Sequence, residues 1–395
     1  MSTPANLQFD DQVFDFAFHP NEDVIAAGLI TGDIHCYRYG LEENVKLWSE
    51  RPGKKSIRGL EYNADGSVLY SISKDKSITA IDAAVGTTKL KLSAAHENPL
   101  NSLLILNNNV LATGDDQGII KLWDNRSQKC VMTYEEHDDF IADMTYNSDK
   151  KTLIAVGGDG FLSTWDIRKP DVVAMSDCMD DELLSVQLVK NGKKAIVGSQ
   201  DGVLSLWTWG DWGDYTDRIL GHPNSIDTIC KLDEDTICTG SSDGLIRIVS
   251  ILPNKFEGVI GDHGEEFPIE RIRLADNKKY MGSCAHDNSI HFWDVAHLFE
   301  EGGDDDEEEE EVTEDKDEVN LSTNVSEDTV TKPAEADSSE EEEEEDSDSN
   351  VDNSDNDDSD NEKSRQQKRK RGKQIEGRNA KASRQQAASA FFGDL

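Results

Sequence analysis

The sequence predicts an all-β protein: seven four-stranded sheets closed into a ring, followed by a long charged tail. Three observations predict it. First, one short unit, clearest in Thr239-Gly240-Ser241-Ser242-Asp243-Gly244-Leu245-Ile246-Arg247-Ile248-Val249, is written seven times. Its turn Gly, or the residue standing in for it, falls at Gly32, Lys76, Gly118, Gly160, Gly202, Gly244 and Asn288, at spacings of 44, 42, 42, 42, 42 and 44 residues. Second, a bulky residue follows each turn five positions later: Tyr37, Ile81, Trp123, Trp165, Trp207, Val249 and Trp293. Third, charge divides the chain. Residues 300–362 carry a net −30, residues 363–384 a net +9, and residues 1–299 a net −19.

The turn demands Gly because φ is positive there, and Asp because its carboxylate can bond its own backbone. The alternation after it is that of a half-buried strand. A period of about 40–45 residues with four strands per unit is that of a propeller blade. One blade cannot bury both of its faces, so it stacks on neighbours, and a closed ring leaves none uncovered. Trp123-Asp124, Trp165-Asp166 and Trp293-Asp294 then carry the dipeptide of the WD-repeat family, which the chain resembles. The resemblance implies a seven-bladed WD-repeat β-propeller over residues 1–299.

Each unit also has an inner strand reading apolar-x-x-apolar-x-apolar. The copies are Val13-Phe16-Phe18, Ile57-Leu60-Tyr62, Leu100-Leu103-Ile105, Ile141-Met144-Tyr146, Leu183-Val186-Leu188, Ile226-Ile229 and Ile269-Ile272-Leu274. The sixth breaks the pattern at Lys231, which leaves its register open. A second strand, such as Thr152-Leu153-Ile154-Ala155-Val156, follows through turns like Asn63-Ala64-Asp65-Gly66. Leu7-Gln8-Phe9 precedes the first complete unit. In WD-repeat relatives such a segment joins the last blade, and the same is expected here because closure removes two open sheet edges.

His96, His137, His222 and His263 precede inner strands. In the family, such a His joins a turn Asp, a Ser or Thr and the strand Trp in a buried hydrogen-bonded network. Carried over, His137-Asp159-Trp165 and His263-Asp287-Trp293 match. His222-Asp243 lacks the Trp, having Val249. His96 and Trp123 lack the Asp, having Gln117, and the second and fifth repeats have no such His. A catalytic reading of His, Asp and Ser is disfavoured because the set recurs in several blades, whereas an active site occurs once. The segment Trp207-Thr208-Trp209-Gly210-Asp211-Trp212 carries three Trp. Trp207 reads as core; for Trp209 and Trp212, core and exposed docking patch both stay open.

No phosphate-cradling Gly loop, metal-ligand spacing or nucleophile elbow is present, so neither an enzyme nor a cofactor is expected. The six cysteines form no C-x-x-C pair and imply neither zinc nor disulfides. The start lacks a signal-peptide pattern and no apolar run reaches bilayer length, so a soluble intracellular protein without membrane contact is expected.

Residues 300–362 are too acidic and too poor in apolar residues to offset chain entropy and are expected to be disordered. Ser338, Ser354 and Ser359 each have an acid three positions on, the pattern an acidophilic kinase such as casein kinase 2 selects. Residues 363–395 hold a nuclear-import-like cluster, Lys368, Arg369, Lys370, Arg371 and Lys373, and end in Phe391 and Phe392, a candidate anchor for a partner groove.

Beyond the repeat itself, the chain resembles the group of WD repeat-containing protein 55 and its fungal counterparts, nucleolar factors of ribosome production. The residues carrying this are Phe14-Asp15-Phe16-Ala17-Phe18-His19-Pro20, Gly114-Asp115-Asp116-Gln117-Gly118 with Lys121-Leu122-Trp123-Asp124, and Trp165-Asp166-Ile167-Arg168. The resemblance implies a monomeric, non-catalytic nuclear and nucleolar scaffold in large-subunit ribosomal RNA maturation, whose partners are pre-ribosomal or other nuclear proteins. Basic ribosomal proteins or histones suit the acid tract, and the acidic ring should repel nucleic acid on average, leaving direct RNA contact open. Two consecutive repeats end in W-D-x-R, through Arg126 and Arg168, similar to substrate receptors that dock on the adapter of a cullin ligase. An acidic chaperone of histones or ribosomal proteins is a third reading.

Overall fold

The computed structural model describes residues 3–264 and 267–299. The expectations for residues 300–362 and 363–395 lie outside the described residues. The fold is all-β, with one 3-10 turn at Ala296–Leu298, and no helix described is long and apolar enough to cross a membrane.

Seven antiparallel four-stranded sheets follow one another along the chain. The first blade is β2 (Val13–Phe18), β3 (Val24–Leu29), β4 (Ile34–Arg38) and β5 (Val45–Glu50), and the second is β6 (Ile57–Tyr62), β7 (Val68–Ser73), β8 (Ile78–Asp82) and β9 (Thr88–Leu92). The third is β10 (Leu100–Asn107), β11 (Val110–Asp115), β12 (Ile120–Asp124) and β13 (Lys129–Tyr134). The fourth is β14 (Ile141–Asn147), β15 (Thr152–Gly157), β16 (Leu162–Asp166) and β17 (Val172–Met175). The fifth is β18 (Leu183–Val189), β19 (Lys194–Ser199), β20 (Leu204–Thr208) and β21 (Asp217–Ile219). The sixth is β22 (Ile226–Lys231), β23 (Thr236–Ser241), β24 (Leu245–Ser250) and β25 (Lys255–Asp262). The seventh takes β26 (Ile269–Leu274), β27 (Tyr280–Ala285) and β28 (Ser289–Asp294) from the end of the ring and β1 (Leu7–Gln8) from its start. Leu7 pairs with Ile290 and Gln8 with Ser289, so the ring closes through its first strand as expected.

All seven turn positions have positive φ, from Gly32 at 90° to Asn288 at 60°, and Lys76 holds 71° without being glycine. The turn carboxylates bond backbone N–H groups as expected: Asp159 accepts from Phe161, Asp243 from Leu245 and Asp287 from Ser289.

The apolar-x-x-apolar spacing of the inner strands has a structural cause. In every blade the pairing of the inner strand with its neighbour slips immediately after the first apolar residue, between Val13 and Asp15, Ile57 and Gly59, Leu100 and Ser102, Ile141 and Asp143, Leu183 and Ser185, Ile226 and Thr228, and Ile269 and Arg271. One extra residue in a bulge lets positions i and i+3 face the same side, where a regular strand would use i and i+2. The sixth strand keeps this register: Ile226 and Ile229 are buried, and Lys231 turns out to pair with Glu234.

No blade has a core of its own. Each apolar cluster spans a seam between two neighbours. One cluster, for example, joins Leu122 and Tyr134 of the third blade to Met144 and Trp165 of the fourth, with the Tyr134 and Trp165 rings stacked 4.2 Å apart. The closing seam joins Leu7, Phe16 and Ile25 to Tyr280, Ile290 and Phe292. Burying one such side chain stabilises by about 1.5–3 kcal/mol, and none of that is gained until the neighbour is in place. Four cysteines sit in these seams or strands, Cys36, Cys230, Cys238 and Cys284, while Cys130 and Cys178 are exposed, and none is disulfide-bonded.

Gly118 tests the turn argument. Its φ is 77°, and a Cβ there would run into the His137 carbonyl oxygen of the next blade. Gly118→Ala is expected to cost about 1–3 kcal/mol, read as a lower thermal unfolding midpoint.

Candidate functional site: buried histidine networks and the axial channel

The side chains that could support chemistry sit in two places: near the tops of the seams, and along the ring axis. In the fourth blade His137 Nδ1 lies 2.9 Å from Asp159 and its Nε2 lies 2.7 Å from Ser163 Oγ, which accepts from Trp165 Nε1 at 2.9 Å. In the seventh blade His263 meets Asp287 at 2.9 Å and Ser283 Oγ at 2.6 Å, and Trp293 Nε1 donates to Ser283 at 2.7 Å. Both predicted sets therefore form.

The third blade corrects the sequence reading. It lacks an Asp next to the turn Gly, but Asp115 at the end of β11 takes that place. His96 Nδ1 is 2.9 Å from Asp115, His96 Nε2 is 2.7 Å from Thr113 Oγ1, and Trp123 Nε1 donates to Thr113 at 2.9 Å. The hydroxyl was also illegible, for a register reason. Thr113 on β11 faces Lys121, whereas Ser163 on β16 faces Ala155 and Ser283 on β27 faces His291. The hydroxyl occupies the same rung in each blade but comes from either of its two strands.

The bonds order themselves as a donation chain: Trp N–H to hydroxyl oxygen, hydroxyl to His Nε2, His Nδ1–H to carboxylate. Burial pushes the carboxyls of Asp115, Asp159 and Asp287 up, but the histidine and nearby backbone N–H donors outweigh it and hold each below the ordinary range. A nucleophilic role fails on access. Thr113, Ser163 and Ser283 are fully buried, and a Trp N–H already occupies each oxygen.

The sixth blade is an incomplete version. His222 Nε2 meets Thr239 Oγ1 at 2.8 Å, but its buried Nδ1 has no partner. Asp243 turns away to hold Arg247 through two bonds, at 3.0 and 2.6 Å. Burial and the Arg247 charge lower the His222 pKa to about 4. In the fifth blade the backbone of Met179 bonds Gly160 as that of His263 bonds Gly244, so methionine stands where other blades carry the histidine. Trp207 still donates to Ser205 there.

His291 adds a second imidazole beside the seventh set, and the ligating atoms of His263, Asp287 and His291 lie within 4.8 Å of one another. The two rings stack at 4.0 Å with planes 18° apart. Nearly parallel, separated rings cannot aim both lone pairs at one ion, so this arrangement is not a metal centre.

Arg126 and Arg168 each reach the Asp of their own Trp-Asp pair, at 3.3 Å to Asp124 and 2.8 Å to Asp166, and stay about half exposed. Trp207 and Trp212 are buried, which removes Trp212 from a docking patch; Trp209 is half-buried on Trp212, with Lys150 Nζ 3.7 Å above its ring. The import residues Lys368, Arg369, Lys370, Arg371 and Lys373, the anchor Phe391 and Phe392, and the serines Ser338, Ser354 and Ser359 lie outside the described residues.

Sequence reasoning missed the axis. All seven inner strands line a cavity of about 450 Å³ that holds Asp15, Glu61, Asp143, Arg271 and Arg273. Asp15 accepts from the backbone of Phe16 and Leu60, at 2.8 and 2.7 Å, and from Arg273 at 2.9 Å. The same pattern ties other neighbours: Glu61 accepts from Ile105, Asp143 from Val186 and Thr228 from Ile272. Burial raises the Glu61 pKa to about 7 and pushes Asp143 up as well. The signal was a charge at the bulge position of an otherwise apolar strand, visible at Asp15, Asp143 and Arg271.

The WDR55 family model matches residues 4–298. WD repeat-containing protein 55 of Danio rerio is 48% identical over 301 residues, covering 76% of this chain and 78% of the relative. WD repeat-containing protein JIP5 of Cryptococcus neoformans is 43% identical over 303 residues, covering 73% and 80%. WD repeat-containing protein 55 of Homo sapiens is 35% identical over 298 residues, covering 75% and 78%.

The networks make a graded prediction. His96→Ala leaves Thr113 and Asp115 short of partners and is expected to cost roughly 2–4 kcal/mol, with His222→Ala costing about half as much. Because folding lowers the His222 pKa, its contribution is intact above the ordinary histidine value of 6.5 and is lost as pH falls toward 4. Unfolding midpoints measured across that window should fall less steeply in His222→Gln than in the natural protein.

Proposed function

The chain belongs to the WDR55 family, and from that premise we propose that it is a non-catalytic nuclear and nucleolar scaffold in maturation of large-subunit ribosomal RNA. The observation that carries the scaffold reading is the recurrence of the buried His–Asp–hydroxyl–Trp set in the third, fourth and seventh blades. The His, Asp and hydroxyl groups of these sets are committed to holding seams rather than to a reaction.

Charge supports the choice of partner. A ring of net −19, continued by a segment of net −30, favours basic proteins and repels bare phosphate backbones. In this reading the propeller faces and the segment 300–362 engage basic ribosomal proteins, and the cluster at 368–373 directs import. The decisive experiment is affinity isolation from cells with sequencing of the co-purifying RNA. Large-subunit precursors and their proteins should be enriched, and deletion of residues 302–362 should reduce the protein partners and raise precursor RNA. Enrichment of histones instead, with histones outcompeting ribosomal proteins for the purified chain, would favour the chaperone reading.

A second reading rests on the half-exposed Arg126 and Arg168, presented alike on consecutive blades. Under it, a cullin-ligase adapter docks on this pair. Arg126→Ala with Arg168→Ala should then abolish adapter capture in a pull-down while leaving the unfolding midpoint within about 1 kcal/mol of its starting stability, since exposed pairs contribute little.

A further inference from the structure

Three seams are closed by an aromatic ring from the outer edge of a blade. Between the third and fourth blades, Tyr134 of β13 stacks on Trp165. Between the first and second, Trp48 of β5 lies against Gly86 and donates to the Ala83 carbonyl at 2.8 Å. At the closing seam Phe9, just past β1, meets Tyr37 edge-on with centroids 5.9 Å apart. The seam between the second and third blades receives no such ring from β9. Leu92, opposite Ile78, holds the rung that Tyr134 holds opposite Ile120, and Leu90, opposite Ala80, holds the rung that Trp48 holds opposite Cys36. The result is a hollow of about 210 Å³, walled by Tyr70, Ala80, Leu90 and Leu92 of the second blade and Leu111 and Trp123 of the third. Tyr70, Leu90 and Leu92 stay half-buried, and Trp123 keeps 8% of its surface where Trp165 keeps 0%. The charged groups that line the hollow already have partners: Lys89 pairs with Asp82 at 2.9 Å and Asp124 with Arg126 at 3.3 Å.

An apolar cavity of about 150 Å³ takes one benzene, so this hollow suits one uncharged ring. The chain itself holds such a ring. Residues 300–395 contain two aromatic side chains, Phe391 and Phe392, set between Ala390 and Gly393. Small neighbours let a ring enter a narrow slot without bringing charge or bulk. From Phe299 to Phe391 the chain can span at most about 330 Å, so length puts no seam out of reach. A tethered ring also meets the slot as an intramolecular event, which favours it over the same ring on a free molecule. We propose that the Phe391-Phe392 segment docks on its own ring at the seam between the second and third blades, one phenyl group entering the hollow against Trp123 in place of the missing seam aromatic. A partner that takes the Phe pair must then draw it from this slot. The proposal stands on the seam geometry and holds whether or not the partners are ribosomal.

The probe is a fluorescein-labelled peptide of residues 385–395, followed by anisotropy in titrations with the full-length protein. The double variant Phe391→Ala with Phe392→Ala should bind it at one site about tenfold more tightly than the natural chain, whose slot is already filled. Adding Leu92→Tyr to the double variant copies the rung of Tyr134. It should weaken the peptide roughly tenfold, since a filled void leaves no room for a second ring. Its unfolding midpoint checks that it folds. Hydrogen exchange needs no change in the core: the β9 amides should exchange faster in the double variant than in the natural chain, at every protein concentration. Equal peptide affinity for the natural chain and the double variant would overturn the proposal and leave the slot to a partner's segment. Binding unchanged by a folded Leu92→Tyr variant, or equal β9 exchange in the two chains, would overturn it as well. Protection of β9 that rises with protein concentration would do the same, by assigning the slot to a second copy.

Discussion

Everything in this structure depends on burial across seams. The apolar residues of one blade pack on the next, so no blade reaches a stable state until its neighbour is present. A linear stack of this kind would end in two uncovered faces. The ring avoids that with two devices at one place. Outside, Leu7 and Gln8 add the missing strand to the seventh blade. Inside, Asp15 of the first blade holds the Leu60 backbone of the second and the Arg273 guanidinium of the seventh. The closure point is thus tied at its rim and at its axis, by residues that come early in the chain and must wait for its last repeat.

The polar networks follow from the same constraint. A loop that crosses the top of a seam brings backbone and side-chain polar groups into a place without water, where each needs a partner. The His, Asp, hydroxyl and Trp set satisfies four side chains with three bonds and joins a loop to the strands of its blade. Where the set is broken, the consequences are local. Asp243, released from His222, is taken by Arg247, and the imidazole keeps one bond and loses the other. Three complete sets and one partial set imply seams of unequal strength around a ring that is geometrically regular.

Legibility from the sequence followed the strength of the backbone constraint. The turn positions were legible because positive φ admits few residues, and even Lys76 and Asn288 fell on the period. The inner-strand spacing was legible as a pattern but not as a bulge, since a strand with period two gives no reason for a step of three. The His96 network was misread because a carboxylate can reach the imidazole from Asp115 as well as from beside the turn glycine. The hydroxyl escaped because two strands offer the same rung. The axial charges escaped because they belong to four separate strands and acquire a common environment only when the ring closes.

The closed ring therefore has two kinds of interior. Its seams are apolar, and the polar networks that cross them are complete in three blades and leave His222 Nδ1 unpaired in the sixth. The axis is different: seven strands converge there, and their lining brings three carboxylates and three guanidiniums together. A charge in a confined space is costly unless its counter-charge and hydrogen bonds are in place, which Asp15 and Arg273 supply to each other. The axis is thus held by an ion cluster that exists only once the ring is closed, as the seams are held by networks that exist only once two blades meet.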